Sequence, residues 1–206
     1  MKFIMIMITC KMDDLFKNEL PKSLNLTRKI AIFSEKTKNS EFDLTDNRGK
    51  TMILQKGDGD ATYENSLGNE LYILDFENLR NQFNPCAILD NQKITKRCDY
   101  FIADETDKSI CVFNEITKDQ YLTQKEDTAK QQLLHSLECV KKCENLWSEI
   151  TNFKRKICLF SFKMPNGNNV QNAFNRPFKQ GQVSNKEIEE LGFEYRRIDY
   201  TPFKIS

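Results

Sequence analysis

The sequence is poor in glycine and proline, with 7 Gly and 5 Pro among 206 residues. This scarcity, with 39% hydrophobic residues, excludes a disordered or low-complexity chain. The apolar segment at the start of the sequence, Met1–Ile8, is far shorter than the roughly 20 residues that a membrane helix needs. Excess charge is also missing, since the formal net charge is +1, so the whole molecule is not a polycation. The sequence therefore predicts a folded protein without a membrane-spanning segment.

Disulfide and zinc patterns are missing too. The 7 Cys are an odd number without regular spacing, whereas disulfide frameworks belong to small secreted domains. We therefore expect free thiols and a cytoplasmic location. The single histidine, His135, precedes Cys139 and Cys143 by four and eight residues. On one straight helix the outer two side chains lie about 12 Å apart at 1.5 Å per residue, too far to share one ion. Buried cysteines are the preferred interpretation.

Other catalytic signatures are also missing. His135 lies within a helical pattern with no nucleophile marked nearby, which argues against a Ser/His/Asp or Cys/His triad. The Gly57–Asp60 segment has neither the strand-to-helix setting nor the Lys-Ser/Thr pair of a phosphate-binding loop.

The length fits one domain over residues 1–206. Helical patterns cover residues 11–26, ended by Pro21, and 70–83, while Arg28–Ser34 and Thr51–Leu54 are strand candidates. A second capping box, Ser184 with Glu187, predicts a short helix over 185–191, followed by a strand over 194–200. We expect an α/β (α+β) fold with a mixed central β-sheet flanked by helices.

The middle of the chain carries the clearest pattern. The β-branched runs 97–103 and 109–117 are separated by a short polar loop, which predicts an antiparallel hairpin. A long helix over about 124–150 follows, since its apolar residues fall on one face and Thr123 with Glu126 forms a capping box. The near-continuous apolar run 155–163 then predicts a buried strand.

Two acids occupy this hairpin. Asp99 opens its first strand, and Glu115 lies near the end of its second strand, within Val112-Phe113-Asn114-Glu115-Ile116-Thr117. With the following helix and strand, this order of elements resembles the core of PD-(D/E)XK nucleases, over about residues 70–162. The resemblance implies a restriction-endonuclease-like core with Asp99 and Glu115 as Mg²⁺ or Mn²⁺ ligands. It also implies a supporting Gln132 on the helix and a further acid from Glu70, Asp75 or Glu77.

The sequence departs from this family at one position. The lysine expected two residues after the acid is Thr117, and Lys118 should point to the other face of the strand. Three explanations stay open: a bulge turns Lys118 inward, Lys130 or Lys96 takes its role, or the site is inactive. A threonine hydroxyl cannot supply the positive charge that such a lysine contributes.

The resemblance implies a metal-dependent nuclease acting on DNA or RNA, of the kind found in bacterial restriction and defence. The segment 151–206 has ten Lys/Arg against five acids, which indicates a mildly basic region or an ordinary solvated surface, two interpretations of equal weight. The predicted backbone contacts are Lys154, Arg155, Lys156, Arg196 and Arg197. The alternative is a catalytically inactive binding or immunity-type protein on the same fold, with a protein partner.

Overall fold

The computed structural model describes residues 12–45, 52–83, 97–117, 122–162, 184–199 and 201–206. Its centre is a six-stranded mixed sheet, here called sheet A, with strand order β1-β4-β5-β6-β7-β8. Helices pack on one face of sheet A, and a three-stranded sheet B, β2-β3-β9, packs on the other. The predicted mixed α/β class is confirmed, whereas the second sheet was not predicted. The division into domains stays a prediction.

Sheet A consists of β1 (Ser34–Thr37), β4 (Leu71–Asp75), β5 (Tyr100–Asp104), β6 (Ile110–Thr117), β7 (Arg155–Phe162) and β8 (Glu194–Asp199). Sheet B consists of β2 (Glu41–Leu44), β3 (Ala61–Glu64) and β9 (Phe203–Lys204). The helices are α1 (Met12–Asp14), a π-helical turn (Leu15–Glu19), α2 (Leu20–Ser23), α3 (Phe76–Asn81), α4 (Leu122–Lys141), α5 (Glu144–Thr151) and α6 (Lys186–Glu190). None of the helices in these ranges is long and apolar enough to cross a membrane.

The central hairpin is confirmed, because β5 and β6 pair antiparallel with Phe101 opposite Phe113. Strand β7 then pairs parallel with β6 along its whole length, and β8 continues the parallel pairing. The α4–α5 crossover makes this parallel arrangement possible, since parallel neighbours cannot be joined by a tight turn. All eight residues of β6 are buried, as expected for a strand covered on both faces.

The predicted long helix is interrupted. Lys142 and Cys143 separate α4 from α5, and Cys143 has an extended backbone at the start of α5. No glycine or proline marks this break, so periodicity alone could not reveal it. The apolar face nevertheless continues across it, because Val140, Cys143 and Ile150 all belong to the helix-side core.

The helix predicted over 70–83 was wrong in its first half. Leu71–Leu74 form a central strand between β1 and β5, buried at every position. Only Phe76–Asn81 is helical, and the Asp75 carboxylate accepts a hydrogen bond from Asn78 N–H as its N-cap (2.8 Å). The leucine spacing that suggested a helix instead reflects a strand whose two faces are both apolar.

The N-terminal predictions also needed correction. Pro21 does not end the first helix but lies in α2, after a π-helical turn in which Leu20 N–H donates to the Leu15 carbonyl. The strand predicted over 28–34 was wrong, because Ala31 satisfies its backbone N–H and carbonyl with the Gln82 side-chain amide (2.8 and 2.9 Å). In the Thr51–Leu54 candidate, Leu54 forms only an isolated bridge to Asp43, and Thr51 lies outside the described residues.

The five cysteines in the described ranges are free and buried, as predicted: Cys98, Cys111, Cys139, Cys143 and Cys158. All five belong to the core between sheet A and the helices. Burial raises the pKa of the Cys111 and Cys158 thiols above the ordinary range. These residues therefore act as small apolar side chains.

The connection from β2 to β3 depends on close backbone packing at Gly59. A β-carbon there would lie 2.5 Å from Asp43 Cβ and 2.6 Å from the Leu44 carbonyl oxygen. We predict that Gly59→Ala lowers the free energy of unfolding by about 3 kcal/mol, measured by urea denaturation.

Gly57 is the matched control in the same loop. Its φ is +98°, but a β-carbon there would meet no atom within 4 Å. Gly57→Ala should cost only the left-handed backbone penalty of about 1 kcal/mol. Equal losses in the two variants would show that the close contact at Gly59 is unimportant.

Candidate acidic site at the end of strand β6

Asp99 lies directly before β5 and is tied to the end of β6. Its backbone N–H donates to the Asn114 carbonyl (3.0 Å), and its Oδ2 accepts a hydrogen bond from Ile116 N–H (2.7 Å). The Asp99 carboxylate thus takes the Ile116 N–H as a hydrogen-bond donor just beyond the first residue of β5. Hydrogen bonds from a backbone N–H fix a carboxylate in place and favour its charged form.

Glu115 lies on the helix side of sheet A. Side chains alternate along β6, and Cys111 and Phe113 belong to the helix-side core, so Glu115 and Thr117 share that face. The β5–β6 register ends at the Tyr100 and Asn114 pair, and the Asp99 backbone N–H also donates to the Asn114 carbonyl. Glu115 is only 8% exposed. Both predicted acids therefore lie at the same end of the β5–β6 hairpin, Asp99 just before β5 and Glu115 within β6.

Helix α4 anchors the segment that leads to Asp99. The Gln132 amide nitrogen donates to the Arg97 carbonyl (2.9 Å), and Cys98 N–H donates to Ser136 Oγ (3.0 Å). Ser136 Oγ in turn donates to the Gln132 carbonyl (2.7 Å). Gln132, predicted as a supporting residue, therefore lies at the correct sheet end, and its amide nitrogen holds the Arg97 backbone.

The pKa of the Cys98 thiol reflects the burial and the negative charge at this end of the sheet. Burial raises the pKa of its thiol well above the ordinary range, and the nearby Glu115 and Asp99 carboxylates raise it further. A thiol in this environment stays protonated, although metal binding and nucleophilic attack both require the thiolate. The chemistry available here is therefore carboxylate chemistry.

The acids considered on the preceding helix take different places. Asp75 caps α3, and Glu77 forms an ion pair with Arg97 Nη2 (3.1 Å). The Phe76 and Glu77 backbone N–H groups both donate to the Asp99 carbonyl (2.8 and 3.1 Å), so the start of α3 adjoins the site. Glu70 lies at the other end of β4, beside Lys36 (3.6 Å), and does not join it.

Lys130 lies over β8, on the side of α4 away from Arg97. Its Nζ is 3.6 Å from Glu126 Oε1 and 4.9 Å from the centre of the Tyr195 ring. Glu126 also pairs with Arg197 Nη1 (3.0 Å). Burial raises the pKa of the Tyr195 hydroxyl, and the Glu126 charge raises it further. Sequence reasoning missed this cluster because its members come from distant elements.

The predicted backbone-contact residues are spread over the molecule. Lys154–Lys156 lie at the start of β7, whereas Glu115 is level with Phe160, about 16 Å further along at about 3.3 Å per residue. Arg196 pairs with Glu194 (2.7 Å) and faces away from the helices. Arg197 is level with Phe160 and, by alternation from Tyr195, shares the face of Glu115. Lys118 and Lys96 lie outside the described residues.

Asp99 and Glu115 offer two carboxylates to a divalent cation. Hard cations prefer such oxygen ligands and leave other positions to water and substrate. Within the described ranges, no group of three or more His, Cys, Asp or Glu side chains is placed to hold a metal.

Comparison with known proteins yields no family that matches the chain, and no curated protein or solved structure with a significant match.

The Ser136 bridge offers a test of how the site is held. Ser136 is fully buried, so Ser136→Ala would leave the Cys98 N–H without its acceptor. We predict a loss of about 1–3 kcal/mol in the free energy of unfolding, measured by chemical denaturation.

Ser23→Ala is the control, because Ser23 Oγ makes the same bond to the carbonyl four residues earlier (Glu19, 2.8 Å) on an exposed helical turn. Its loss should be below about 0.5 kcal/mol. If Ser136→Ala were equally mild, α4 would not anchor the Asp99 segment through this bond.

Proposed function

We propose that the chain is a metal-dependent nuclease of the PD-(D/E)XK type, acting on DNA or RNA. The observation that carries the proposal is the location of two acids at the same end of the β5–β6 hairpin, where Asp99 accepts a hydrogen bond from Ile116 N–H and Glu115 is buried. The succession of an antiparallel hairpin, a crossover helix and a parallel strand around them also supports it.

The two carboxylates have distinct environments. Asp99 is held by Ile116 N–H, which gives it a fixed orientation, while Glu115 lies deeper, beneath the helix layer. A divalent ion bound between them would polarise a phosphate and lower the pKa of a bound water. The role of the protein would be to hold both acids in place and to limit the access of bulk water.

Arg197 is the described basic residue best placed to accompany them. It shares the face and level of Glu115 across β7, and it stacks on the Phe162 ring with its guanidinium carbon 4.7 Å from the ring centre. A guanidinium held by an aromatic ring can offer its N–H donors to phosphate oxygens. Lys154–Lys156 would contact only a substrate that extends along the sheet.

The test is cleavage of labelled DNA and RNA with Mg²⁺ or Mn²⁺. We predict that Glu115→Gln and Asp99→Asn each reduce cleavage at least about 100-fold, because removal of a ligand should cost at least as much as removal of a group that supports one. Glu138→Gln, at an exposed glutamate of α4, is the matched control and should retain full activity. Similar cleavage by the wild type and Glu115→Gln would refute the assignment.

A second candidate is a non-catalytic binding or immunity-type protein on the same fold. Thr117 favours it, because this threonine occupies the position of the expected lysine, on the face of Glu115, and is itself buried. Lys130, one possible replacement, lies over Tyr195. In such a protein the two acids would persist without a catalytic cation.

Calorimetric titration with Mg²⁺ and Mn²⁺ separates the two candidates. A nuclease should show a binding event that Glu115→Gln removes and Glu138→Gln preserves. If the wild type shows no event that depends on Glu115, and no cleavage, the non-catalytic candidate is the correct one.

A further inference from the structure

A small cavity of about 70 Å³ lies between sheets A and B, at the ends of β7 and β8. Its walls come from β2, from the loop before β3 and from the last residues of β7 and β8. The oxygen-bearing side chains that line it are Asp43, Asp60, Thr62, Ser161 and Thr201. The lining residues that the structure describes include no Lys, Arg or His.

Asp43 is the central group of this cavity. It is only 1% exposed, and its Oδ2 accepts hydrogen bonds from Gly57 N–H (2.8 Å) and Gly59 N–H (2.9 Å). Its Oδ1 is also buried but has no hydrogen-bond partner among the described residues. A buried carboxylate oxygen without a partner is costly, so the cavity lacks a group that would complete it.

The chemistry of the cavity favours a cation. Asp60 lines it together with Asp43, so two carboxylates and three hydroxyl groups surround one small space. Oxygen donors of this kind are the ligands of hard cations such as Ca²⁺ and Mg²⁺. The volume is sufficient for one ion together with bound water.

We propose that this cavity binds a hard divalent cation, Ca²⁺ or Mg²⁺, through Asp43 and Asp60, with Ser161 as the neighbouring hydroxyl. The site is separate from Glu115, whose side chain lies on the helix-covered face of sheet A. The two are linked through Asn114, whose amide donates to Ser161 Oγ (3.2 Å) and to the Glu115 carbonyl (2.9 Å). Binding in the cavity joins sheet B to the end of β7 and so stabilises the fold.

The experiment is thermal unfolding of the full chain, first stripped with EDTA and then titrated with CaCl₂ or MgCl₂ at constant ionic strength. A cation at about one hundred times its dissociation constant should raise the melting temperature by about 5–10 °C. Asp43→Asn keeps an acceptor for the two glycine N–H groups but removes the charge, and it should abolish the part of the rise that Glu115→Gln retains. Asp58→Asn, at an exposed aspartate of the same loop, should keep it.

Two further variants, Glu115→Gln and Asp60→Asn, distinguish this cavity from the site proposed for catalysis. Glu115→Gln should retain the rise, since it alters only the site proposed for catalysis. A rise that disappears in Glu115→Gln but survives in Asp43→Asn would assign the cation to that other site and overturn the inference, as would a wild type indifferent to both salts. If Asp43→Asn does not fold, Asp60→Asn should reduce the rise by at least half, and an undiminished rise would likewise overturn it.

Discussion

The burial of β6 on both faces is the constraint on which the rest of the structure depends. Every residue of this strand is covered, by helices on one side and by sheet B on the other. Three polar residues, Asn114, Glu115 and Thr117, nevertheless lie within it, and buried polar groups must find partners inside the protein. Asn114 does so with Tyr63, Ser161 and two backbone carbonyls. Tyr63 belongs to sheet B, so the hydrogen bonds of the buried Asn114 side chain in β6 depend on the second sheet.

The parallel pairing of β6, β7 and β8 also determines where the polar sites lie. The ends of β6, β7 and β8 point the same way because the three strands are parallel. Asp99 and Glu115 lie at this end, with Glu115 on the helix-covered face, and the oxygen-lined cavity lies on the face of sheet B. Ligands of open α/β sheets commonly bind beyond the carboxyl ends of the strands. Glu115 and the oxygen-lined cavity therefore lie near this end of the strands, on opposite faces of sheet A.

The sequence predicted the elements whose period was unambiguous. The hairpin, the crossover helix and β7 follow directly from alternation, helical spacing and a continuous apolar run. It could not predict β4, because Leu71–Leu74 is apolar at every position and its leucine spacing imitates a helix. Sheet B was also out of reach, since Tyr63 and Phe203 pair across a long stretch of chain. The candidate acids could be predicted because a charged residue within an apolar strand pattern stands out in the sequence. Asp43 lies in a polar region of the sequence, where a further acid is unremarkable.

The five buried cysteines share one consequence of the layered design. All five lie in the core between sheet A and the helices, where the protein covers their thiols. Alkylating or oxidising reagents can reach them only when the helix layer separates from the sheet, since the reactive thiolate must form in contact with water. The rate at which a reagent modifies these thiols therefore measures how often that layer opens locally. The measurement needs no introduced label.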